Sequence, residues 1–175
     1  MRIETLEDVD RQIAAWGAEH TGSAVAVAEL LCDRHAAGPD RLALRYQDAT
    51  GTTSTYSFAE MRDQSARFAS VLRSLGVAQG DRVATLLPKS PELMIATLGI
   101  WRLGAVHVPL FTAFGPQAIG FRTGHSGARV IVTDVTNRPK LAGMGLRAVT
   151  AGGAGWCGGR FRRCAVLARG RGAAV

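Results

Sequence analysis

The sequence has few of the residues on which small disulfide-bonded or metal-binding proteins depend. Only three cysteines occur in 175 residues, and two of them, Cys157 and Cys164, lie close to the end of the chain. Three cysteines do not make a disulfide framework, and the spacing of the late pair does not match a zinc site. The N-terminus contains acidic residues where a signal peptide has its apolar run. We therefore expect no disulfides, no metal site and a reducing, cytoplasmic location.

The sequence also lacks an uninterrupted apolar run that could span a bilayer. The nearest candidate is residues 93–114, which has Arg102 near its centre. An arginine at that depth costs about 3 kcal/mol even on a lenient insertion scale. Gly104 and Pro109 further predict a helix end followed by an extended segment. The stretch is therefore predicted to be a buried core rather than a membrane span.

Lysine, aspartate and glutamate are absent from residues 145–175, which contain 8 Gly, 7 Ala and 6 Arg. Residues 1–144 carry 15 basic against 14 acidic side chains. The sequence pI near 10.3 therefore reflects the tail and indicates no partner for the body. Composition and pattern divide the chain into a helical lead-in (1–23), a folded body (24–144) and a tail without a packed core (145–175).

Helical and strand patterns alternate along the body. Ser57 and Glu60 make a capping box that opens an amphipathic helix, and Gly76 is a typical stop. The other predicted elements are a helix after Thr5, a helix over 23–37, a hairpin over 42–56, strands at 83–87, 106–110 and 129–133, and helices that begin near Ser90 and Pro116. This order predicts an α/β fold with a mostly parallel sheet and helices on both faces. Such sheets bind ligands beyond the carboxyl ends of their strands.

Three ordered blocks carry a family resemblance: residues 55–61 (TYSFAEM), 75–84 (LGVAQGDRVA) and 100–110 (IWRLGAVHVPL). Residues 114–116 (FGP) and 126–134 (SGARVIVTD) extend it. Together they resemble the beginning of an AMP-forming acyl-CoA synthetase, acetyl-CoA synthetase-like, of the adenylate-forming AMP-dependent synthetase/ligase superfamily. The resemblance covers 24–144 and implies a partial N-terminal subdomain of the adenylate-forming ligase fold.

The resemblance implies that the intact enzyme uses ATP, Mg²⁺ and CoA to activate a carboxylic acid through an acyl-adenylate. Family members supply a Ser/Thr/Gly-rich phosphate loop ending in Lys-Gly, an aromatic-Thr-Glu element, a ribose-binding Asp and a lysine in a mobile domain. All of these lie downstream of the matched region. We therefore expect a truncated fragment, with no catalytic residue and no metal site, that is inactive alone and uses no cofactor itself.

A weaker implication concerns CoA, because family members contact its nucleotide end through a Phe-Gly turn and through basic residues after the Val-Thr-Asp strand. By this resemblance the CoA-facing residues are Phe114, Gly115, Arg138 and Lys140. A guanidinium and an ammonium in a strand-end loop suit a phosphate. The alternative is that both cations are simply solvated surface charges.

Other reactive residues resemble ordinary structural residues. The run from Gly51 to Ser54 has the composition of a phosphate loop but lacks the lysine and lies in a hairpin turn. His107 lies in an apolar strand and is predicted to be a core or pocket-wall residue. Cys32, beside two leucines, is predicted to be an inert buried thiol. His20, His35 and His125 have no paired nucleophile nearby in sequence.

The composition of the tail resembles a GC-rich gene translated in the wrong frame, so a frameshift or truncation after residue 144 is the leading explanation. A genuine basic extension remains an alternative. Arginines interleaved with Trp156 and Phe161 could also hold nucleic acid, although no recognition module accompanies them. The non-catalytic alternatives are therefore an interaction module or a nucleic-acid-binding tail.

Overall fold

The computed structural model describes residues 5–20, 26–38 and 40–151. Two short 3₁₀ turns, Asp33–His35 and Arg138–Leu141, accompany the regular elements. The helices are α1 (Leu6–His20), α2 (Val27–Leu31), α3 (Phe58–Ser74), α4 (Pro91–Arg102) and α5 (Pro116–Ser126). The strands are β1 (Leu42–Gln47), β2 (Thr53–Ser57), β3 (Arg82–Leu86), β4 (Val106–Pro109), β5 (Val130–Asp134) and β6 (Arg147–Ala151).

The central sheet has four parallel strands in the order β4-β3-β5-β6. Strands β1 and β2 form a separate antiparallel hairpin, as predicted. Val83 packs with residues of α3 and α4 on one face, whereas Ala84 and Leu86 pack with Ile119 of α5 on the other. Successive strand residues point to opposite faces, so the sheet is covered on both sides. The predicted α/β fold is confirmed.

Local sequence signals set the helix ends. The Ser57 side chain accepts a hydrogen bond from the Glu60 amide (3.2 Å), and the Glu60 carboxylate accepts one from the Ser57 amide (2.8 Å). This capping box starts α3, as predicted. Gly76, just past its end, has a φ of 80°, which a residue with a Cβ rarely adopts. Ser90 caps α4 through one bond only, in which its side chain accepts from the Leu93 amide.

The structure differs from the prediction of one helix over residues 23–37. The regular helix α2 covers only Val27–Leu31, and Cys32 leaves helical geometry with φ −134° and ψ −61° before the 3₁₀ turn begins. Beyond that break the Asp33 carboxylate pairs with Arg102 of α4. A tertiary ion pair therefore replaces continuation of the helix. Residues 21–25, where this predicted helix begins, lie outside the described residues.

The structure also extends the sheet beyond residue 144. Strand β6 pairs in parallel with β5, and Val149 and Ala151 are 1% and 4% exposed. The first seven residues assigned by composition to the tail therefore belong to the folded body. Alternation along a short strand buries these two side chains, a pattern that the Gly, Ala and Arg counts conceal. Residues 152–175 lie outside the described part of the chain.

The apolar stretch 93–114 is divided among several elements. It contains most of α4, a turn at Gly104, β4 and the loop that follows it. Arg102 donates to Ser65 and Asp33 at the end of α4. No helix among residues 5–20, 26–38 and 40–151 is long and apolar enough to cross a membrane.

Candidate functional site

The carboxyl ends of the parallel strands lie along one edge of the sheet, where two connections carry the predicted CoA-facing residues. Phe114 and Gly115 lie between β4 and α5. Arg138 and Lys140 lie in the 3₁₀ turn that follows β5. Strand β3 separates β4 from β5 in the sheet. Any contact between these two connections therefore crosses the end of β3.

Lys140 makes that contact. Its ammonium donates to the Thr112 carbonyl (2.5 Å) and to the Asn137 side-chain oxygen (2.9 Å). The first bond holds the connection after β4 against the turn after β5. The structure thus brings Lys140 to the segment that contains Phe114 and Gly115. One of the three ammonium hydrogens remains beyond these two bonds.

Asp134 and Asn137, which the sequence analysis did not select, organise the turn after β5. The Asp134 carboxylate accepts from the Asn137 backbone amide (2.6 Å) and from its side-chain amide (3.0 and 3.1 Å). Asn137 is only 6% exposed. A side-chain oxygen at a strand end that accepts from the following backbone is a common turn device. The sequence signal for this turn is the position of Asp134 three residues before Asn137.

Arg138 and Lys140 contact different parts of the structure. Its guanidinium donates to the Thr150 hydroxyl (2.7 Å) in the edge strand β6. The four predicted residues therefore do not form one cluster of side chains. Lys140 joins the segment of Phe114 and Gly115, whereas Arg138 joins the turn to β6.

The Phe114 ring is partly buried and has charged and aromatic neighbours. The Arg122 guanidinium lies 4.1 Å from the ring centroid, and the Phe111 ring packs edge-on at 5.4 Å. Gly115 is the N-cap of α5 with an extended backbone (φ −77°), and a Cβ placed there would meet no atom within 4 Å. Neither strain nor protein packing therefore requires glycine at this position. Space remains open beside the turn.

Gly51 and Thr52 lie in the hairpin turn, as predicted, and Thr53 and Ser54 begin β2. The Asp48 carboxylate accepts from the Thr50 amide (2.8 Å) and the Thr52 amide (3.0 Å). These donors are therefore committed to Asp48 and do not cradle a phosphate. The Thr50 hydroxyl also donates to Asp48 (2.6 Å) and is the main cause that lowers the pKa of this carboxyl.

His107 and Cys32 occupy structural positions. The His107 Nε2 atom pairs with the Thr85 hydroxyl (2.7 Å), and burial lowers the pKa of His107. Cys32 is 1% exposed, and burial is the main cause that raises the pKa of its thiol. A buried thiol with a raised pKa is a poor nucleophile. Within the described ranges, no three His, Cys, Asp or Glu residues are grouped to hold a metal ion.

Comparison with known proteins identifies the family. Residues 32–153 match the family described as AMP-binding enzyme. The chain therefore belongs to the AMP-binding enzyme family, and the predicted membership is confirmed. Within that family it is similar to acetyl-CoA synthetase of Streptomyces coelicolor (strain ATCC BAA-471 / A3(2) / M145), with 35% identity over 132 residues. The aligned region is 74% of this chain but 20% of that protein.

Two further comparisons agree. A 3-hydroxypropionyl-coenzyme A synthetase of Metallosphaera sedula is 38% identical over 103 residues, or 58% of this chain and 16% of that protein. The crystal structure of Brucella canis acyl-CoA synthetase superposes with a TM-score of 0.80 at 40% identity. That match covers 88% of this chain and 30% of the Brucella chain. The chain thus spans between a sixth and a third of the length of these proteins.

Proposed function

We propose that this chain is the N-terminal part of an ATP-dependent, AMP-forming acid–CoA ligase. The observation that carries the proposal is the combined sequence and structural match to CoA synthetases, with a TM-score of 0.80 at 40% identity over 88% of the chain. The substrates of the complete enzyme would be a carboxylic acid, ATP and CoA, and its location the cytoplasm. The chain carries part of the scaffold for this reaction.

The proposed reaction has two steps. A carboxylate oxygen attacks the α-phosphorus of ATP and the bond to pyrophosphate breaks, which leaves an acyl-adenylate. The CoA thiol then forms a thioester with the acyl group, and AMP leaves with the electron pair of the broken bond. Charge that grows on phosphate oxygens calls for Mg²⁺ and fixed donors. Among the described residues, no three His, Cys, Asp or Glu side chains are grouped to hold a metal ion, and we assign no residue of this chain a role in the first step.

For the second substrate, we propose that Phe114, Gly115, Arg138 and Lys140 face the nucleotide end of CoA. Lys140 and Arg138 donate to neutral oxygens only, and no carboxylate lies within 4.0 Å of either among the described residues. No described carboxylate therefore pairs with either cation, and both side chains have spare N–H donors for a phosphate. The open space beside Gly115 leaves room for a ligand along the turn.

Replacing Lys140 with glutamine is expected to weaken CoA binding about tenfold, because a charge-assisted bond to a phosphate is lost. Titration calorimetry with CoA and with CoA lacking its 3′-phosphate measures the effect. Arg45→Gln is the control, since Arg45 is exposed and lies in the separate β1–β2 hairpin. The proposed contact is contradicted if the Arg45 and Lys140 variants bind CoA equally well.

Reading the genomic DNA beyond codon 153 in all three frames tests the proposed function itself. The family match ends at residue 153 and β6 ends at Ala151, so we place the proposed frame change after this point rather than after residue 144. The expected result is a Ser/Thr/Gly-rich loop that ends in Lys-Gly, encoded in another frame. Its absence from all three frames would count against a ligase origin.

The nucleic-acid alternative rests on residues 152–175, outside the described part of the chain.

A further inference from the structure

A groove of about 930 Å³ crosses the amino-terminal ends of β3, β5 and β6. It lies at the edge of the sheet opposite the candidate CoA-facing site. Its charged lining consists of Arg82, Arg129, Arg147 and Asp81, and the remaining lining residues are apolar or glycine. The groove is therefore basic, with three guanidinium groups against one carboxylate.

Two of the arginines are held in place by backbone carbonyls. Arg82 donates through Nε to Ser126 (2.9 Å) and through its terminal nitrogens to Gly80 and Gly127 (both 3.3 Å). Arg147 donates to the Leu75 carbonyl (2.8 Å). Carbonyl contacts orient a guanidinium but do not neutralise it. The positions of these two charges are thus fixed before any ligand arrives.

Arg129 adds a third positive charge close to Arg82. The register pairs Val83 with Val130. Arg82, the first residue of β3, and Arg129, which precedes β5, are therefore neighbours on the α5 face, about 5 Å apart in backbone position. Like charges at neighbouring positions are unfavourable. No carboxylate within the described ranges lies within 4.0 Å of any of the three guanidinium groups. Asp81 instead accepts from the Ala78 amide (2.8 Å).

We infer that this groove binds an oligophosphate, an anion whose linked phosphate groups bridge the guanidinium groups at the amino-terminal edge of the sheet. Guanidinium groups bind phosphate oxygens through paired hydrogen bonds. An anion with several phosphates suits a groove whose charges come from three strands. Arg129 is exposed, and its guanidinium supplies donors that no described residue accepts.

Inorganic triphosphate is the first ligand to test, with the full chain at low ionic strength. Arg129→Gln is expected to weaken binding about tenfold, because it removes one charge-assisted contact. Arg67→Gln, an exposed change on α3, should leave affinity unchanged, as should the double change Arg162→Gln with Arg163→Gln in the tail. Circular dichroism checks that each variant folds. Bound triphosphate should also protect Arg129, but not Arg67, from modification by phenylglyoxal.

A second titration with a nucleoside triphosphate distinguishes the source of the phosphates. If both ligands bind the chain with equal affinity, and the Arg129→Gln variant loses that binding, the ligand is an inorganic oligophosphate. If the nucleotide binds more tightly than triphosphate, the ligand is a nucleotide. Equal weakening by Arg129→Gln and Arg67→Gln, or loss of binding only with the tail variant, overturns the inference. The inorganic triphosphate titration uses neither ATP nor CoA, so its result is independent of the proposed ligase function.

Discussion

Purified chain incubated with ATP, Mg²⁺ and a series of short- and medium-chain fatty acids is expected to release no pyrophosphate above a blank. Transfer at the α-phosphate depends on donors and metal ligands held together in one preorganised site. The acyl-CoA synthetase resemblance implies that these elements follow the matched segment, which ends at residue 153. Within the described ranges, no three potential metal ligands come together. Loss of these cooperating groups removes most of the transition-state stabilisation, so any residual rate is expected to fall below the blank.

A coupled pyrophosphate assay measures this result. The Streptomyces coelicolor acetyl-CoA synthetase, which is similar to this chain over 20% of its own length, serves as the positive control with acetate. Mixing the two proteins checks that the chain does not inhibit the assay. Reproducible, acid-dependent release that co-purifies with the chain would refute the prediction.

Replacing Arg102 with methionine is expected to lower the free energy of unfolding by about 2–3 kcal/mol, because the Asp33 carboxylate loses its partner. The loss is at the low end of the range for buried ion pairs, since both side chains retain some contact with solvent. The Arg102 guanidinium donates to both Asp33 carboxylate oxygens, one at 2.7 Å, and to the Ser65 hydroxyl at 2.9 Å. The Arg102 and Asp33 side chains are 15% and 26% exposed. The hydrogen bond with Asp33 is the main cause that raises the pKa of Arg102.

Urea unfolding of Arg102→Met, Asp33→Asn and the double variant forms a double-mutant cycle, which measures the coupling free energy between the two side chains. The double variant should lose less than the sum of the single variants, because it leaves no unpaired charge. The exposed pair of Arg62 and Asp63, with side chains 41% and 57% exposed, provides the matched control. Arg62→Met should change stability by less than about 1 kcal/mol. Additive losses in the Arg102 cycle would show that the pair is not coupled.

The candidate site was predictable only in part. The resemblance placed Lys140 and Arg138 in one short turn, and the structure agrees. Which groups they contact depends on strand order, because Lys140 reaches Thr112 across the end of β3 and Arg138 reaches Thr150 of β6. The buried Asn137, which supports this turn through Asp134, was not selected. Residues that act by supporting others have no chemical signature of their own in the sequence.

Strand β6 shows how composition can conceal a local pattern. The residues from Arg147 to Ala151 alternate between the two faces and bury Val149 at 1% exposure. The average composition of residues 145–175 is dominated by Gly, Ala and Arg, and it does not reveal a strand of five residues. Burial of this strand also requires β5 beside it, and an average over residue types contains no information about that neighbour.

The sequence by itself determined where α3 and α4 begin, because side-chain caps act within one turn of the chain. Ser57 with Glu60 starts α3, and Ser90 starts α4. Only the tertiary structure decided that β3 lies between β4 and β5, and that Arg102 pairs with Asp33 across 69 residues. Local signals cannot encode such contacts, since partners distant in sequence meet only after apolar faces pack and strands pair.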